Sequence, residues 1–116
     1  MFQINNLTTS ANQTSIAIMA DGSSVTLTFK YRPAIQRWTV DVSRGSFVAN
    51  GLGLTTHPNL LRVWRDVIPF GLQIVTKDST DPFMADDLQS GRVVINMLDN
   101  TGENTDVEDV ETEYFT

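Results

Sequence analysis

The stretch 24-SVTLTFKYRPAIQRWTVDV-42 alternates apolar and polar residues twice, once on each side of a proline. Successive side chains of a β-strand point to opposite faces, so this alternation predicts two antiparallel strands that each bury one face. The proline has no N–H for the strand ladder, and the first strand is therefore expected to end there. The buried face is predicted to contain Val25, Leu27, Phe29, Tyr31, Trp38, Val40 and Val42. The outward face carries opposite charges that suit cross-strand pairing, on Lys30, Arg32, Arg37 and Asp41.

Similar strand signals recur on both sides of this hairpin. The ranges 15–20, 46–54, 72–77 and 92–98 are rich in strand-forming residues and are bounded by turn residues. Asp21-Gly22 predicts a type I′ turn, because that turn needs positive φ, which Asp tolerates and Gly adopts freely. Gly51 and Gly53 lie inside a predicted strand, and glycines in such positions indicate a bulge or a close backbone approach.

Two short helical turns are predicted between the later strands. In 59-NLLRVWRDV-67, Asn59 suits an N-cap, and the apolar residues after it recur near helical spacing, which favours one or two helical turns over the alternative of an irregular loop. In 81-DPFMADDL-88, Asp81 is expected to cap a single turn, while Asp86 and Asp87 are expected to be solvated. Together these elements predict a mainly all-β chain, either a small antiparallel β-barrel or a sandwich of about six to seven strands.

Length and charge predict one folded domain followed by an acidic tail. The chain has 116 residues and a net charge of −6, and a chain of this length buries roughly two-thirds of its unfolded surface. Residues 99–116 contain seven acids and no base, whereas residues 1–98 contain eight bases and seven acids. The predicted domain is therefore 1–98, and 99–116 is expected to be flexible or to be ordered by a partner. The sequence has no cysteine, no secretory signal pattern and no apolar run of ~20 residues.

The usual constellations of catalytic and ligand-binding residues are missing from the sequence. His57 is the single histidine, and without cysteine it has no partner of the kind that a zinc site uses. The acids between Asp78 and Asp87 lack the central glycine and the closing glutamate of a calcium loop. Phosphate-loop and nucleophile-elbow patterns are absent as well. We therefore predict that the protein is not an enzyme, with no catalytic residue, no metal and no cofactor.

Aromatic residues next to arginines predict a protein interface. Trp64 lies close to Arg62 and Arg65, and tryptophan together with arginine is typical of interface hot spots. We assign these three residues, together with Arg32 and Arg37 of the hairpin, to a partner-binding surface.

Several motifs follow one another in order along residues 15–100. They are 29-FKYRPAIQRWTVDV-42, 51-GLGL-54, 60-LLRVWRDVIPFGLQIV-75, 81-DPFMADDL-88 and 92-RVVINML-98. In their order and spacing they resemble the phage baseplate plug family, small structural proteins of contractile-tailed bacteriophages. The chain departs from the family pattern at Pro33, where a polar residue is usual, and at Asn59, where aspartate is commoner.

The resemblance implies a virion protein of the tail baseplate, close to the distal end of the tail tube. It implies contacts with other tail proteins (hub, spike, tail tube or baseplate wedge), a multimeric arrangement in the particle, and synthesis in the bacterial host cytoplasm. It carries over no catalytic residue. Nucleic acid and membrane are not expected as partners, and residues 1–98 have a net charge of only +1, too little for phosphate-backbone binding.

Two other functions stay open on the residues alone. An OB-like module for single-stranded nucleic acid would stack bases on exposed aromatic rings, but the alternation places Phe29, Tyr31 and Trp38 on the apolar face. An enzyme could use a carboxylate pair among the acids between Asp78 and Asp87. Such a pair needs one acid in an apolar pocket, whereas these acids lie in a polar turn.

Overall fold

The computed structural model describes residues 2–4, 7–8, 10–57, 59–64, 67–77, 87–90, 92–101, 105–107 and 109. Within these ranges seven strands form two antiparallel sheets. One sheet has four strands in chain order: β2 (Asn12–Ile18), β3 (Ser24–Arg32), β4 (Arg37–Arg44) and β5 (Phe47–Gly53). The other has the order β1 (Phe2–Gln3), β7 (Val93–Asp99) and β6 (Phe70–Thr76). A 3₁₀ turn spans Arg62–Trp64, and a short helix, α1, spans Asp87–Ser90.

This architecture confirms the predicted all-β class and favours the sandwich over the barrel. The described strands make two separate sheets and not a closed barrel, so the fold is sandwich-like. Side chains from the facing surfaces of the two sheets form one hydrophobic core. Its members include Val25, Leu27, Phe29, Trp38, Val40 and Val42 from one sheet, and Phe70, Leu72, Ile74, Val93, Ile95 and Met97 from the other.

The predicted central hairpin is the pair β3–β4, and its buried face is the one that the alternation indicates. Phe29, Trp38 and Val40 are fully buried. Tyr31 is half-buried and lies directly opposite Trp38, with the two ring centroids 5.3 Å apart. Tilted aromatic pairs at this distance add about 0.5–1.5 kcal/mol beyond the area they bury.

The turn before this hairpin differs from the expected type I′ turn. A five-residue connection, 19–23, joins β2 to β3 and is closed by hydrogen bonds from the Gly22 N–H to the Met19 carbonyl and from the Met19 N–H to the Ser23 carbonyl. Only Gly22 has positive φ (87°), whereas a type I′ turn requires it at both central residues. Asp21 instead turns its carboxylate onto the N–H and hydroxyl of Ser23.

Gly51 marks a β-bulge, as its position inside a strand predicts. Between the Val40–Leu52 and Val42–Ala49 pairs, β5 carries one residue more than β4, and Gly51 adopts a φ of 69°. The Gly51 N–H donates to the Asp41 carboxylate at 2.7 Å. This hydrogen bond, followed by the one from Lys30, holds the pKa of Asp41 below its usual value.

A loop covers the outer edge of β6, the end strand of its sheet. His57 and Ile74 exchange two backbone hydrogen bonds, and the Leu60 N–H donates to the Leu72 carbonyl. The fully buried Asn59 accepts from the N–H groups of Leu61 and Leu72 through the same Oδ1 atom. The first of these bonds is the N-cap interaction predicted for Asn59. Because the strand edge is hydrogen-bonded within the chain, it is not open for pairing with another chain.

Two predicted features near β6 and α1 are wrong. The stretch 68-IPFG-71 has the composition of a turn and predicts one there, but the turn is shorter, because β6 already begins at Phe70 and includes Gly71. The predicted turn capped by Asp81 lies outside the described residues up to 86, and the short helix begins at Asp87. Asp87 is buried and not solvated, because its carboxylate forms a two-pronged ion pair with Arg92 at 2.7 and 3.0 Å.

The two sheets are linked at one end of the sandwich through Asp99. Its carboxylate accepts a hydrogen bond from the Ala20 N–H of the β2–β3 connection at 2.8 Å. The Asp99 N–H donates to the carboxylate of Asp106, and Leu98 forms a small separate cluster with Val107. We refer to this end of the molecule as the Asp99 end. The division of the chain at residue 98, and a flexible tail beyond it, stay predictions.

Candidate interaction surface

The segment around Trp64 is a short helical turn, as its spacing predicts, and this turn is a 3₁₀ helix. The N–H of Trp64 donates to the Leu61 carbonyl at 3.0 Å, three residues earlier. With three residues per turn, side chains that a helix would place on one apolar face diverge. Leu61 is fully buried, whereas Val63 and Val67 are 81% and 71% exposed. The exposed pair is therefore a surface that helical spacing does not predict.

Trp64 is only half-buried, and it packs against the sandwich. Its ring meets the ring of Phe47 edge-on at 5.8 Å, and Phe47 in turn meets Phe70 edge-on at 6.2 Å. Arg62 is half-buried beside it, and Arg65 lies outside the described residues. The predicted interface role of these three residues stays a prediction. Trp64 thus packs on the sandwich through Phe47 and keeps part of its side chain exposed.

Arg32 and Arg37 lie at the far end of the β3–β4 hairpin. They are direct cross-strand partners and both are exposed. Between them the loop exposes Ile35 (64%) and holds Gln36 at a positive φ of 50°. We call residues 32–37 the hairpin tip. Like charges placed directly opposite each other destabilise a strand pair, so the tip combines charge repulsion with backbone strain.

The predicted interface therefore falls into two separate places. Phe47, on which Trp64 packs, pairs with Arg44 at the end of β4, whereas Arg37 begins that strand. A strand of eight residues is about 27 Å long. Trp64 and the hairpin tip therefore lie at opposite ends of the four-stranded sheet, and one small partner surface does not reach both.

Charges along the sheet between these two places are largely paired. Lys30 forms an ion pair with Asp41 at 2.9 Å, which confirms the opposite-charge pairing expected for this face. Near the Asp99 end, Arg44 lies 3.6 Å from the carboxylate of Asp21. The hydrogen bonds from Ser23 and, less strongly, the charge of Arg44 lower the pKa of Asp21. Positive charge on this sheet is thus concentrated at the hairpin tip.

An open groove runs between the edge strands of the two sheets. It has a volume of about 400 Å³ and is lined by residues 2–4 and 14–18, which bring β1 and β2 face to face. Ile16 and Ile18 stand exposed on the neighbouring face of β2. Sequence reasoning missed this groove, because β1 has only two residues and therefore no periodicity to read.

The described part of the chain shows neither a metal-binding cluster nor a membrane-spanning helix. Its histidine and carboxylate side chains form no group of three that could hold a metal ion. Nor do the described ranges contain a helix with the length and hydrophobicity that crossing a bilayer requires.

The resemblance of the sequence to phage baseplate plug proteins can be compared with models of known protein families. The family model described as cyanophage baseplate Pam3 plug gp18 matches residues 1–107. The chain belongs to this family. The finding confirms the resemblance to phage baseplate plug proteins, and the match covers both sheets together with Asp99 and Val107. A comparison with curated proteins gives no match.

Proposed function

We propose that this member of the plug family is a structural component of the phage tail baseplate, acting by protein–protein assembly and not by catalysis. Membership of the family over residues 1–107 carries the proposal. In the same proposal the protein is made in the host cytoplasm and incorporated near the distal end of the tail tube. There it contacts hub, spike, tail-tube or wedge proteins.

The surface around the 3₁₀ turn is the first candidate for such a contact. Val63 and Val67 expose apolar surface next to the half-buried ring of Trp64. Aromatic anchors surrounded by apolar contacts that exclude water are the usual centre of an interface. This surface supports shape-complementary docking, in which burial of the two valines on a partner supplies part of the binding energy.

The open groove supports a second kind of contact, the addition of a strand. The outer edge of β2 faces the groove, while its inner edge is paired with β3 along all seven residues. An extended segment of a neighbouring protein can hydrogen-bond to such an edge and place alternate side chains in the groove.

The experiment is a particle assay with a surface variant and a matched control. Purified tails from phage carrying the wild-type gene are dissociated and analysed by mass spectrometry, and the protein is expected in a fixed ratio to tube and hub proteins. The variant Val63→Asp is expected to lower incorporation, because it places a charge in the proposed contact. Val48→Asp changes another exposed valine, in β5, and is expected to be incorporated normally. Absence of the wild-type protein from purified tails would contradict the proposal.

A further inference from the structure

The hairpin tip has the properties of a binding site for carboxylates. Arg32 and Arg37 face each other across the last pair of the β3–β4 ladder, and neither forms an ion pair with a carboxylate of the described residues. The planar guanidinium group matches a carboxylate in charge and geometry. A carboxylate between the two arginines would replace their repulsion with two charge-assisted hydrogen bonds.

The chain itself contains the complementary segment. In 108-EDVETEYF-115, which we call the acidic segment, four acids are interspersed with a valine, a threonine and two aromatic residues, and no base occurs. The hairpin tip offers the matching arrangement, since the exposed Ile35 lies between two arginines. Carboxylates of the segment suit the guanidinium groups, and its apolar side chains suit the isoleucine.

The residues that precede the acidic segment lie at the end of the molecule opposite its own hairpin tip. Asp99 is tied to the β2–β3 connection at the Asp99 end, and Asp106 is tied to Asp99. The hairpin tip lies at the other end of β3, whose nine residues span about 30 Å. Glu113 lies four residues beyond Asp109 and so extends at most about 14 Å from it. A second copy supplies such a segment without having to span the length of β3, which favours a contact between two molecules.

We propose that the hairpin tip of one copy of this chain binds the acidic segment of a second copy. The acidic segment follows residues that are tied to the Asp99 end, opposite the hairpin tip, so the proposed contact is head-to-tail. Such contacts form rings when the rotation between neighbours closes, and filaments when it does not. This inference goes beyond the proposed function and does not rest on it, because it concerns self-association of the purified chain.

The self-association is measured by sedimentation velocity over a range of protein concentrations and salt. The wild-type chain is expected to form concentration-dependent oligomers at low ionic strength and to dissociate near 1 M salt, where the screening length falls to about 3 Å. The double variant R32Q/R37Q and a chain ending at Asp109 are both expected to weaken association at least about tenfold. Lys77→Gln removes an exposed positive charge outside the hairpin tip and is expected to associate as the wild type does.

Mixing the two defective proteins tests the head-to-tail geometry. R32Q/R37Q retains its acidic segment, and the shortened chain retains its hairpin tip. Together they can make one contact, so the expected product is a heterodimer of about twice the 12.9 kDa chain mass. Circular dichroism of each protein verifies that it is folded.

Several results would overturn the inference. One is a wild-type chain that stays monomeric at low salt. Another is a mixture of the two defective proteins that gives no heterodimer, and a third is R32Q/R37Q associating as strongly as Lys77→Gln. Each of these results would leave the baseplate proposal untouched, because that proposal is tested by the composition of purified tails.

Discussion

Gly71 packs so closely against Asn59 that a single methyl group at this position should destabilise the fold. An added Cβ would lie 2.5 Å from Oδ1 and 2.8 Å from Cγ of the Asn59 amide, well inside van der Waals contact. That Oδ1 atom accepts hydrogen bonds from the N–H groups of Leu61 and Leu72, and Asn59 is fully buried. Displacing the amide leaves two buried N–H groups unpaired, at about 1–3 kcal/mol each. We therefore expect Gly71→Ala to lower the free energy of unfolding by about 3 kcal/mol.

Gly53→Ala is the matched control for this substitution. Gly53 also lies in a strand, yet nothing lies within 4 Å of its added Cβ, and its φ is not in the positive range. Its substitution should be neutral, or stabilising by about 0.5–1 kcal/mol, because alanine loses less backbone entropy on folding.

The assay is urea unfolding followed by the fluorescence of Trp38 and Trp64, with a double-mutant cycle. Asn59→Ala removes the amide that the new methyl group meets, so adding Gly71→Ala to that background should cost little further stability. The coupling energy between the two sites is then about 3 kcal/mol. If Gly71→Ala lay within about 1 kcal/mol of Gly53→Ala, or if the two effects added, the close approach would not be the cause.

Three further predictions concern the central hairpin. Trp38→Ala should cost about 3–5 kcal/mol in urea unfolding, whereas Arg37→Ala should leave the protein folded, because only the tryptophan is buried; an unchanged melting temperature for Trp38→Ala would contradict the inward assignment. Asp41 has a lowered pKa, so its contribution to stability is fully present above its ordinary value of 3.8 and is lost as the pH falls through the folded pKa. Asp41→Asn should therefore flatten the acid limb of a plot of unfolding free energy against pH, and an identical limb would show that the bond to Gly51 is irrelevant. Gln36→Gly should raise the unfolding free energy by about 1 kcal/mol, because glycine adopts a φ of 50° without strain, and a loss of stability would refute that reading.

The central hairpin could be predicted because the residues that determine its two strands and its loop are close together in the sequence. Period-two alternation determines which face of a strand is buried, and the partner strand follows after a four-residue loop. The positions of Phe29, Trp38 and Val40 in the core need no knowledge of the other sheet. For the same reason the bulge at Gly51 was accessible from the sequence, since glycine inside a strand has few other causes.

The exposed surfaces could not be predicted from the sequence, because they depend on contacts between residues that are distant in the chain. The segment around Trp64 has helical spacing, but Asn59 bonds to β6 and the segment turns as a 3₁₀ helix, which exposes Val63. From the sequence alone Asp87 is expected to be solvated, and only the fold brings Arg92 against its carboxylate. The composition of the hairpin tip was visible, but its position opposite the Asp99 end follows from the sheet register alone.

The pairing of β1 sets an order on folding during synthesis. Strands β2 to β5 are consecutive in the chain and each pairs with its neighbour, so they can form as soon as residue 53 has left the ribosome. Phe2, by contrast, pairs with Met97, and β1 must wait until β7 has been made. Loop closure over such a span slows folding. The groove between β1 and β2 therefore exists only in a chain translated through β7, and a chain truncated before β7 lacks it.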